Sequence, residues 1–342
     1  MSGLPKVSIC IPVFNGAAFL PGCIATVSAQ TYRNLEILVV DNHSTDETPA
    51  LLRAWAAADP RVRVVTQDRN LGVVRNRNRC LVEAAGEWIK FLDHDDLWSP
   101  DCVERLVDLA IRSGRRFAFA RRTFLYEGVS EAGRELMETE VRRFEVGAVR
   151  PGCTDFSPQM VAELALEFWG RNVFGEPSAI LIHRSVVQEF GLFNLDLVQI
   201  PDLEYWLRVG LTTGMGYCDQ PLVTFRIHER AASMANLNTF RAGRLDQLVL
   251  LHEYLYSPYF VALRQAAERI GTLPSLQRSF HRKALRLSVR AALDIRRPET
   301  RGHYRQWLEA VRRHPHLGDR GGRLLASALG PFRPRLGYGE PT

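Results

Sequence analysis

Three carboxylates lie within four residues at Asp93-His94-Asp95-Asp96, directly after the apolar run 88–92. Side chains this close repel one another unless positive charge lies among them, and a divalent cation supplies it. Oxygen ligands of this kind suit Mg²⁺ or Mn²⁺, which usually complete their coordination with substrate phosphates. The alternative is a helix N-terminal cap, in which Asp95 or Asp96 precedes a helix opened by Ser99-Pro100-Asp101. A cap needs only one carboxylate, so the cluster favours a metal site.

Two further polar segments follow apolar runs. Asp41-Asn42 follows 35–40, where an acidic side chain can accept a hydrogen bond from a base N–H or a ribose hydroxyl, although Asp and Asn also simply begin turns. Pro12-Val13-Phe14-Asn15 follows 6–11 and has neither the Gly-x-Gly-x-x-Gly of a dinucleotide site nor the Gly-Lys-Ser/Thr of a P-loop. Nucleotide binding would therefore depend on a metal clamp on the diphosphate and on pockets for base and ribose.

Arginines that alternate along the chain follow Asn70-Leu71-Gly72, at Arg75, Arg77 and Arg79. A helix spreads alternating residues around its circumference. We therefore expect one of the three to contact phosphates and the others to be solvated.

The elements that must position these segments alternate between strand and helix. Short apolar and β-branched runs predict strands at 6–11, 35–40, 62–65 and 88–92, and later at 178–182 and 222–227; a further apolar run spans 116–126. Helical spacing of apolar residues predicts helices at 18–30, after Ser44 (an N-cap with Glu47 three residues on), at 72–85 and at 202–212. This order predicts an α/β fold with a mostly parallel sheet covered by helices on both faces. Ligand sites form at the carboxyl ends of such strands, so the three polar segments should meet in one crevice.

The second part of the chain is helical and basic. Helices are predicted at 240–256, 258–270, 275–296 and 303–313, and residues 241–342 hold 18 Arg, one Lys and eight acids, for a net charge of +11 against −5 before them. In the third helix Arg282, Arg286 and Arg290 form a basic stripe, while Phe280, Ala284, Leu287 and Ala291 form an apolar one. Such a helix fits an anionic membrane carrying a lipid-linked acceptor. The alternatives are packing on the first domain, on a second copy of the chain, or a solvated face.

The composition limits which other classes of protein the chain can belong to. The six cysteines show no C-x-x-C pair, which argues against a zinc site and against a disulfide framework. No window offers the roughly 18 apolar residues of a spanning helix, and the first residues lack the layout of a signal peptide. We therefore expect a soluble cytoplasmic protein, peripheral at the inner face of the membrane if the basic helices bind lipid, and no nucleic-acid partner.

As an ordered set, the motifs resemble the family-2 glycosyltransferases, which have the Rossmann-like GT-A fold. The matching segments are Pro12-Val13-Phe14-Asn15, Leu38-Val39-Val40-Asp41-Asn42, Asn70-Leu71-Gly72 with Arg77-Asn78, and Phe91-Leu92-Asp93-His94-Asp95-Asp96. The resemblance spans about 5–235. It implies a catalytic domain at 1–235, a helical region at 236–330 and a disordered end at 331–342. It also implies transfer with inversion from a UDP- or dTDP-sugar to an acceptor hydroxyl, in the synthesis of a bacterial surface polysaccharide or glycoconjugate.

The resemblance also implies roles for individual residues. Asp41 would read the base, Asp93 would lie by the ribose, Asp95 would bind Mg²⁺ or Mn²⁺, and Asp96 would position the site from the side. The other implied nucleotide-sugar contacts are Pro12, Phe14, Asn15, Asn42, Gly72 and Arg77.

Two later segments complete the implied site. Pro201-Asp202-Leu203-Glu204-Tyr205-Trp206-Leu207-Arg208 resembles the family's Glu-Asp-x-Asp-x-Trp-Leu-Arg, which makes Asp202 the catalytic base. Pro201 and Glu204 depart from that pattern, so contacts to the acceptor are expected to differ. Phe225-Arg226-Ile227-His228 resembles Tyr-Arg-x-His, which implies that His228 binds the metal or the diphosphate, although a lone histidine is more often structural. Asn76 and Cys80 stand where the family often has Ala and Gly.

Two rival functions fit the same fold. A nucleotidyltransferase that makes nucleotide sugars also uses a strand-end Asp and Mg²⁺, but it needs a Gly-rich loop and a Lys after the first strand, and 12–30 has neither. A non-catalytic sugar-nucleotide or glycan-binding module would have lost the catalytic set. The joint presence of Asp95, Asp202 and His228 argues against that loss.

Overall fold

The computed structural model describes residues 3–131, 134–135, 138–139, 144–231, 239, 244–294 and 300–317. The strands are β1 Val7–Val13, β2 Leu35–Asp41, β3 Val62–Thr66, β4 Trp88–Phe91, β5 Leu97–Trp98, β6 Phe117–Tyr126, β7 Asp155–Phe156, β8 Ile180–His183 and β9 Met215–Ile227. The helices are α1 Leu20–Ser28, α2 Thr48–Ala58, α3 Val73–Glu83, α4 Cys102–Ser113, α5 Val146–Val149, α6 Pro158–Glu167, α7 Arg184–Phe190, α8 Pro201–Thr213, α9 Asp246–Tyr256, α10 Val261–Arg269, α11 Leu273–Asp294 and α12 Arg301–Arg313.

One sheet organises the described part of the chain, with strand order β3-β2-β1-β4-β8-β6-β9-β5 and with β7 also paired to β9. Strands β1 to β4, β6 and β9 run in one direction, while β5, β7 and β8 run against their neighbours. Six of the nine strands in this sheet are thus parallel. The predicted mostly parallel α/β fold is confirmed.

The central strands β1 and β2 are buried along their whole length, as their β-branched runs predict for a sheet covered on both faces. We expected β1 to end before Pro12, but the strand continues through this residue to Val13. The reason is local. The pairing of β1 with β4 ends at Cys10, so the missing N–H of Pro12 removes no bond on that side.

Strand β9 is 13 residues long, although the sequence predicted only 222–227. The apolar pattern of β9 is interrupted by Asp219-Gln220-Pro221. The pairing of β6 with β9 accommodates this interruption by register shifts on both sides of Arg121. Such an irregularity bends a strand without ending it. β9 therefore continues to Ile227 and delivers Arg226 and His228 to the carboxyl end of β4.

Two predicted caps are wrong. Helix α2 begins at Thr48 and its N-cap is Glu47, because the hydroxyl of Ser44 accepts the backbone N–H of Asn15 at 2.9 Å instead of capping. No helix begins at Asp95 or Asp96; β5 follows the acidic turn, and α4 starts only after Asp101. The capping alternative for the acidic cluster is therefore excluded.

The helices after residue 244 pack on the rest of the chain. The predicted apolar stripe of α11 is buried against α9 and α12, in a second core with Trp307 and Leu248 at its centre. Other residues of α9 and α10, such as Tyr254 and Leu263, join the main core. The stripe therefore packs on its own chain. The predicted domain boundary at 235 and the end at 331–342 lie outside the described residues.

Within the described residues, none of the helices combines the length and the apolar character that a membrane crossing requires. The six cysteines are all free thiols.

Glu204, which we expected to alter acceptor contacts, points into the core instead. Both of its carboxylate oxygens accept hydrogen bonds from Arg208, each at 2.9 Å, and Arg208 also donates to the carbonyl oxygens of Phe190 and Leu192. Both side chains are almost fully buried. The departure from the family pattern at this position therefore serves the packing of α8.

Replacing Arg208 by Ala should lower the free energy of unfolding by about 3–5 kcal/mol, because Glu204 would remain buried without a counter-charge. A matched control is Arg112→Ala, which removes an exposed pair to Asp108 with the same four-residue spacing and should cost about 0–1 kcal/mol. Urea unfolding followed by circular dichroism measures both. Equal losses in the two variants would contradict the structural role of the buried pair.

Candidate active site

Short hydrogen bonds join the three polar segments at the carboxyl edge of the sheet. The side-chain oxygen of Asn15 accepts the backbone N–H of Thr45 at 2.8 Å, and His94 Nδ1 lies 3.3 Å from the carbonyl oxygen of Pro12. Gly16 allows this approach, because a Cβ there would collide with the ring of His94. Phe14 and Asn15 are exposed beside these contacts. The structure thus brings the segments into one crevice, as their positions after parallel strands predict.

Arg77 is the arginine of the alternating set that turns toward the site. Its Nη2 lies 2.6 Å from Asp93 Oδ2, and both side chains are mostly buried. Burial lowers the pKa of Arg77, but Asp93 and Asp202 outweigh it and raise the pKa. Arg79 pairs with Glu83 at the surface instead. Arg77 therefore lies in the field of both aspartates and links the ends of β4 and α8.

Asp95 pairs with His228 across the crevice, with 3.0 Å between Asp95 Oδ2 and His228 Nε2. Burial opposes ionisation of Asp95, but the hydrogen bond from His228 and the charge of His94 outweigh it, so the pKa of Asp95 is lowered. His228 is buried, and its Nδ1 has no hydrogen-bond partner among the described residues. Asp95 is thus held as a carboxylate beside an imidazole.

This pair fits a small divalent cation. Adjacent ligands of an octahedral ion with bonds of about 2.0–2.1 Å lie roughly 3 Å apart, which is the separation observed here. A carboxylate and an imidazole are both acceptable to Mn²⁺, and the carboxylate suits Mg²⁺. The donor set therefore matches the cofactor that the sequence predicts.

Asp96 does not face the crevice, and its expected contact with the nucleotide sugar stays a prediction. It is fully buried, and its two oxygens accept the hydroxyl of Ser178 at 2.5 Å and the backbone N–H of Arg226 at 2.9 Å. Burial, with repulsion from Asp95 and Asp93, raises its pKa well above the usual value. Asp96 is a positioning residue that anchors the acidic turn to β8 and β9.

Lys90 and Ser178 are site residues that sequence reasoning missed. The ammonium of Lys90 is buried over the ring of Trp98, 4.1 Å from its centroid, and donates to the carbonyl oxygens of Phe91 and Ser178. Burial lowers the pKa of Lys90 to about 8. The hydroxyl of Ser178 also accepts the backbone N–H of Asp93 at 2.9 Å. Together Lys90 and Ser178 hold the acidic turn 93–96 in place. The one feature of the sequence that could have indicated this role was a lysine inside the apolar run 88–92.

Asp202 lies in the first turn of α8, within the electrostatic influence of Arg77. Burial raises the pKa of Asp202 to about 6. The charge of Arg77 lowers this pKa and the charge of Glu176 raises it, and both effects are smaller than that of burial. The side-chain amide of Asn172 donates to Asp202 Oδ2 at 2.9 Å, and Asn172 is itself held by the backbone of Gly175. Asn172 was also missed, because nothing in an Asn-x-x-Gly turn points to catalysis.

The residues after β2 are more enclosed than expected. Asp41 is 1 % exposed and its Oδ1 accepts the backbone N–H of Ser44 at 3.1 Å. Asn42 is buried, and its amide oxygen accepts from Gln67 and from the backbone N–H of Leu71. Asn42 thereby holds the 67–71 loop, and its contact with the nucleotide sugar stays a prediction.

Gly72 opens helix α3 at a φ of +85°, a conformation that favours glycine. Asn76, in place of the family's Ala, donates to the carbonyl oxygens of Val13 and Val40 and accepts from Gln67. It thereby ties α3 to the ends of β1 and β2, which explains why a buried amide stands there.

A cleft of about 590 Å³ opens beside this site. Arg226 and His228 form one wall, and Phe19 and Gly22 of α1 form another. The guanidinium of Arg226 lies over the ring of Phe19 and donates to the carbonyl oxygen of Asp95 at 2.7 Å. The volume of the cleft is in the range of small-molecule sites. The wall of the cleft includes the imidazole of His228, which pairs with Asp95.

Comparison with known proteins gives both uncharacterized and characterized relatives. The chain is 26% identical over 272 residues to the uncharacterized protein MT1568 of Mycobacterium tuberculosis, covering 79% of this chain and 82% of that protein. It is 37% identical over 115 residues to the succinoglycan biosynthesis protein ExoO of Rhizobium meliloti, covering 34% of this chain but only 32% of that protein.

Among solved structures, the S. aureus TarS fragment 1–349 in complex with UDP-GlcNAc matches with a TM-score of 0.59 at 14% identity, over 90% of this chain and 79% of that one. The mannosyltransferase PcManGT from Pyrobaculum calidifontis in complex with GDP-Man and Mn²⁺ matches with a TM-score of 0.55 at 18% identity, over 90% and 86%. These likenesses show the fold. The model of glycosyl transferase family 2 matches residues 8–186, more than half of the chain, and the chain belongs to that family.

Proposed function

We propose that this glycosyltransferase passes a sugar from a nucleoside-diphosphate sugar to an acceptor hydroxyl with inversion, using Mg²⁺ or Mn²⁺. The observation that carries the proposal is the Asp95–His228 pair, 3.0 Å apart in the crevice that also receives Asp93, Arg77 and Asp202. This arrangement offers a cation position, a fixed positive charge and a carboxyl with a pKa of about 6. A binding module without turnover has no use for such a carboxyl.

Asp202 is the proposed base. An inverting transfer needs a carboxylate that takes the proton of the acceptor hydroxyl while its oxygen attacks the anomeric carbon from the face opposite the leaving group. A pKa of about 6 keeps Asp202 ionised at neutral pH and still a better proton acceptor than an ordinary aspartate. The amide of Asn172 donates to one oxygen of this carboxyl at 2.9 Å and thereby orients it.

Asp95 and His228 are the proposed cation ligands. The bound cation would neutralise the charge that develops on the departing nucleoside diphosphate. Arg77 and Arg226 both contact the acidic turn, through Asp93 and through the carbonyl oxygen of Asp95, and their carboxylate partners hold both guanidinium groups in place. Such pre-oriented charge lowers the barrier without reorganisation during the reaction.

The family and its relatives support a proposal for the donor and acceptor classes. We propose a UDP- or dTDP-sugar donor, although TarS and PcManGT were solved with UDP-GlcNAc and GDP-Man respectively. ExoO is a succinoglycan biosynthesis protein, which supports a sugar or lipid-linked glycan as the acceptor in polysaccharide synthesis. The cytoplasmic location stays a prediction.

Asp202→Asn should lower kcat/KM by about 10²–10⁴-fold, because the amide cannot accept the proton. In the wild type, kcat/KM should fall about tenfold per pH unit below a pH of about 6, where the raised pKa of Asp202 leaves it protonated. This acidic limb should be absent in the variant. The assay is release of nucleoside diphosphate, using the donor that gives the largest thermal shift with Mn²⁺.

Asp108→Asn, on the exposed face of α4, is the matched control and should keep both rate and pH profile. Thermal shift by the donor should persist in Asp202→Asn, which shows an intact nucleotide site. Near-normal turnover in that variant would remove Asp202 from the role of base.

We also propose that α11 places the enzyme on an anionic membrane, but through a different face than its buried apolar stripe. Leu285 and Val289 are exposed, at 39% and 47%, and lie between Arg282, Arg286 and Arg290 on the outer side of the helix. A face that mixes exposed apolar side chains with basic ones suits the headgroup region of anionic lipid. A lipid-linked acceptor would be presented at the same surface.

Replacing Arg282, Arg286 and Arg290 by Glu should abolish sedimentation with phosphatidylglycerol-containing vesicles, because each basic residue contributes about 1 kcal/mol at an anionic surface. The loss should be at least roughly 100-fold in partitioning. A control with the same charge change at the exposed Arg33, Arg53 and Arg112 should still bind. Equal binding of both variants, or equal binding of the wild type to pure phosphatidylcholine, would count against this surface.

A further inference from the structure

A second cluster of ligand-type side chains lies away from the active site, between α9 and the end of α12. Glu253 Oε1 lies 3.2 Å from His252 Nδ1 and 3.3 Å from His314 Nδ1. One ligand atom from each residue falls within 4.8 Å of the others. Both histidines are more than nine-tenths buried. The cluster therefore joins two helices at a site from which water is largely excluded.

The spacing of the atoms fits a tetrahedral ion. Two ligands of a tetrahedral ion with bonds of about 2.0–2.1 Å lie roughly 3.3 Å apart, and the two distances from Glu253 to the imidazole nitrogens have that value. Zn²⁺ binds well to a ligand set of two imidazole nitrogens and one carboxylate oxygen, whereas Mg²⁺ prefers oxygen ligands alone. Three protein ligands leave the fourth position to water or a further side chain.

The surroundings of His314 are those of a metal-bound histidine. Its Nε2 lies 3.2 Å from Asp196 Oδ2, and Arg313 pairs with the same carboxylate. If that Nε2 carries a proton and donates it to Asp196, the lone pair of Nδ1 faces Glu253. A lone pair and a carboxylate oxygen at 3.3 Å need a cation between them. Carboxylate partners of this kind commonly orient ligating histidines.

Hydrogen bonding within the protein accounts for only one ring nitrogen of His252, because Nδ1 faces Glu253 Oε1 at 3.2 Å. Its Nε2 is buried and has no hydrogen-bond partner in the described part of the chain, although burying an unpaired polar atom costs about 1–3 kcal/mol.

We propose that His252, Glu253 and His314 bind one transition-metal ion, with Zn²⁺ as the expected species, and that this ion clamps α12 to α9. The clamp extends through Asp196 to the segment that leads into α8. It is a structural site, separate from the Mg²⁺ or Mn²⁺ of the proposed reaction. The competing occupant is a proton on His314: burial lowers its pKa, but Asp196 and Glu253 outweigh this and raise it to about 9.

The test uses the full chain carrying Asp95→Asn, which removes the other cation position. After dialysis against a chelator, the protein is loaded with Zn²⁺ or with Mg²⁺, desalted and measured by mass spectrometry of the metal and by thermal unfolding. One zinc ion per chain should remain, and Zn²⁺ at 100 times its Kd should raise Tm by about 5 °C. Mg²⁺ should do neither. Co²⁺ in place of zinc should give the intense visible absorption of a tetrahedral site.

The variant pair His252→Asn and His314→Asn, each made in the same background, should retain no zinc and show no change of Tm with zinc. His303→Asn, on α12 but outside the cluster, is the matched control and should retain the ion. Absence of zinc and of any Tm response in the Asp95→Asn chain would overturn the proposal and leave a protonated ion pair. Retention of zinc by both cluster variants, or a weak octahedral Co²⁺ spectrum, would overturn it as well. Loading of the Asp95→Asn chain decides the question even if the cluster variants fail to fold.

Discussion

The mutual repulsion of Asp93, Asp95 and Asp96 is the constraint around which this structure is arranged. Each carboxylate is given a different partner: a guanidinium for Asp93, an imidazole for Asp95, and a hydroxyl and an amide for Asp96. Because these partners come from three separate places, α3, the turn before β8 and the end of β9, the acidic turn depends on the assembled sheet. The repulsion that remains at Asp95 is what a cation can relieve.

The order of strands follows from this requirement. The antiparallel β8 lies between β4 and β6, and the turn before it places Ser178 directly under the acidic residues. Strand β9 runs long enough to bring its end opposite the same turn. Lys90 adds a buried positive charge below them, and the aromatic ring of Trp98 compensates part of its desolvation. The same packing that stabilises the core thereby orients the proposed cation ligands.

The environment of Asp202 illustrates how one fold gives two aspartates different chemistry. Asp95 keeps a lowered pKa because His228 and His94 outweigh burial, whereas Asp202 has a raised one because burial outweighs Arg77. The first suits binding of a cation and the second suits acceptance of a proton. Environments that separate two carboxyl groups in this way are typical of catalytic sites.

Much of this arrangement could be predicted from the sequence, and the failures have physical reasons. The β-branched runs 6–11 and 35–40 predict buried parallel strands, and three polar segments after such strands must share one edge. Ser44 was misplaced as a cap because its hydroxyl is used by Asn15, a contact 29 residues away in sequence. The roles of Ser178, Lys90 and Asn172 depend on contacts with residues distant in the chain. The periodicity of a sequence carries no information about such contacts. The stripe of α11 was recognised, but only tertiary packing decides what covers it.

The central claim is that Asp95 and its imidazole partner hold a divalent cation together with the donor diphosphate. Calorimetric titration of a nucleoside diphosphate into the wild type and the Asp95→Asn variant, with Mn²⁺ and with chelator, tests it most directly. We expect Mn²⁺ to tighten binding to the wild type by at least about 10-fold, equivalent to about 1.4 kcal/mol, and to leave the variant unchanged. Affinity that is the same with Mn²⁺ and with chelator in the wild type would contradict the account.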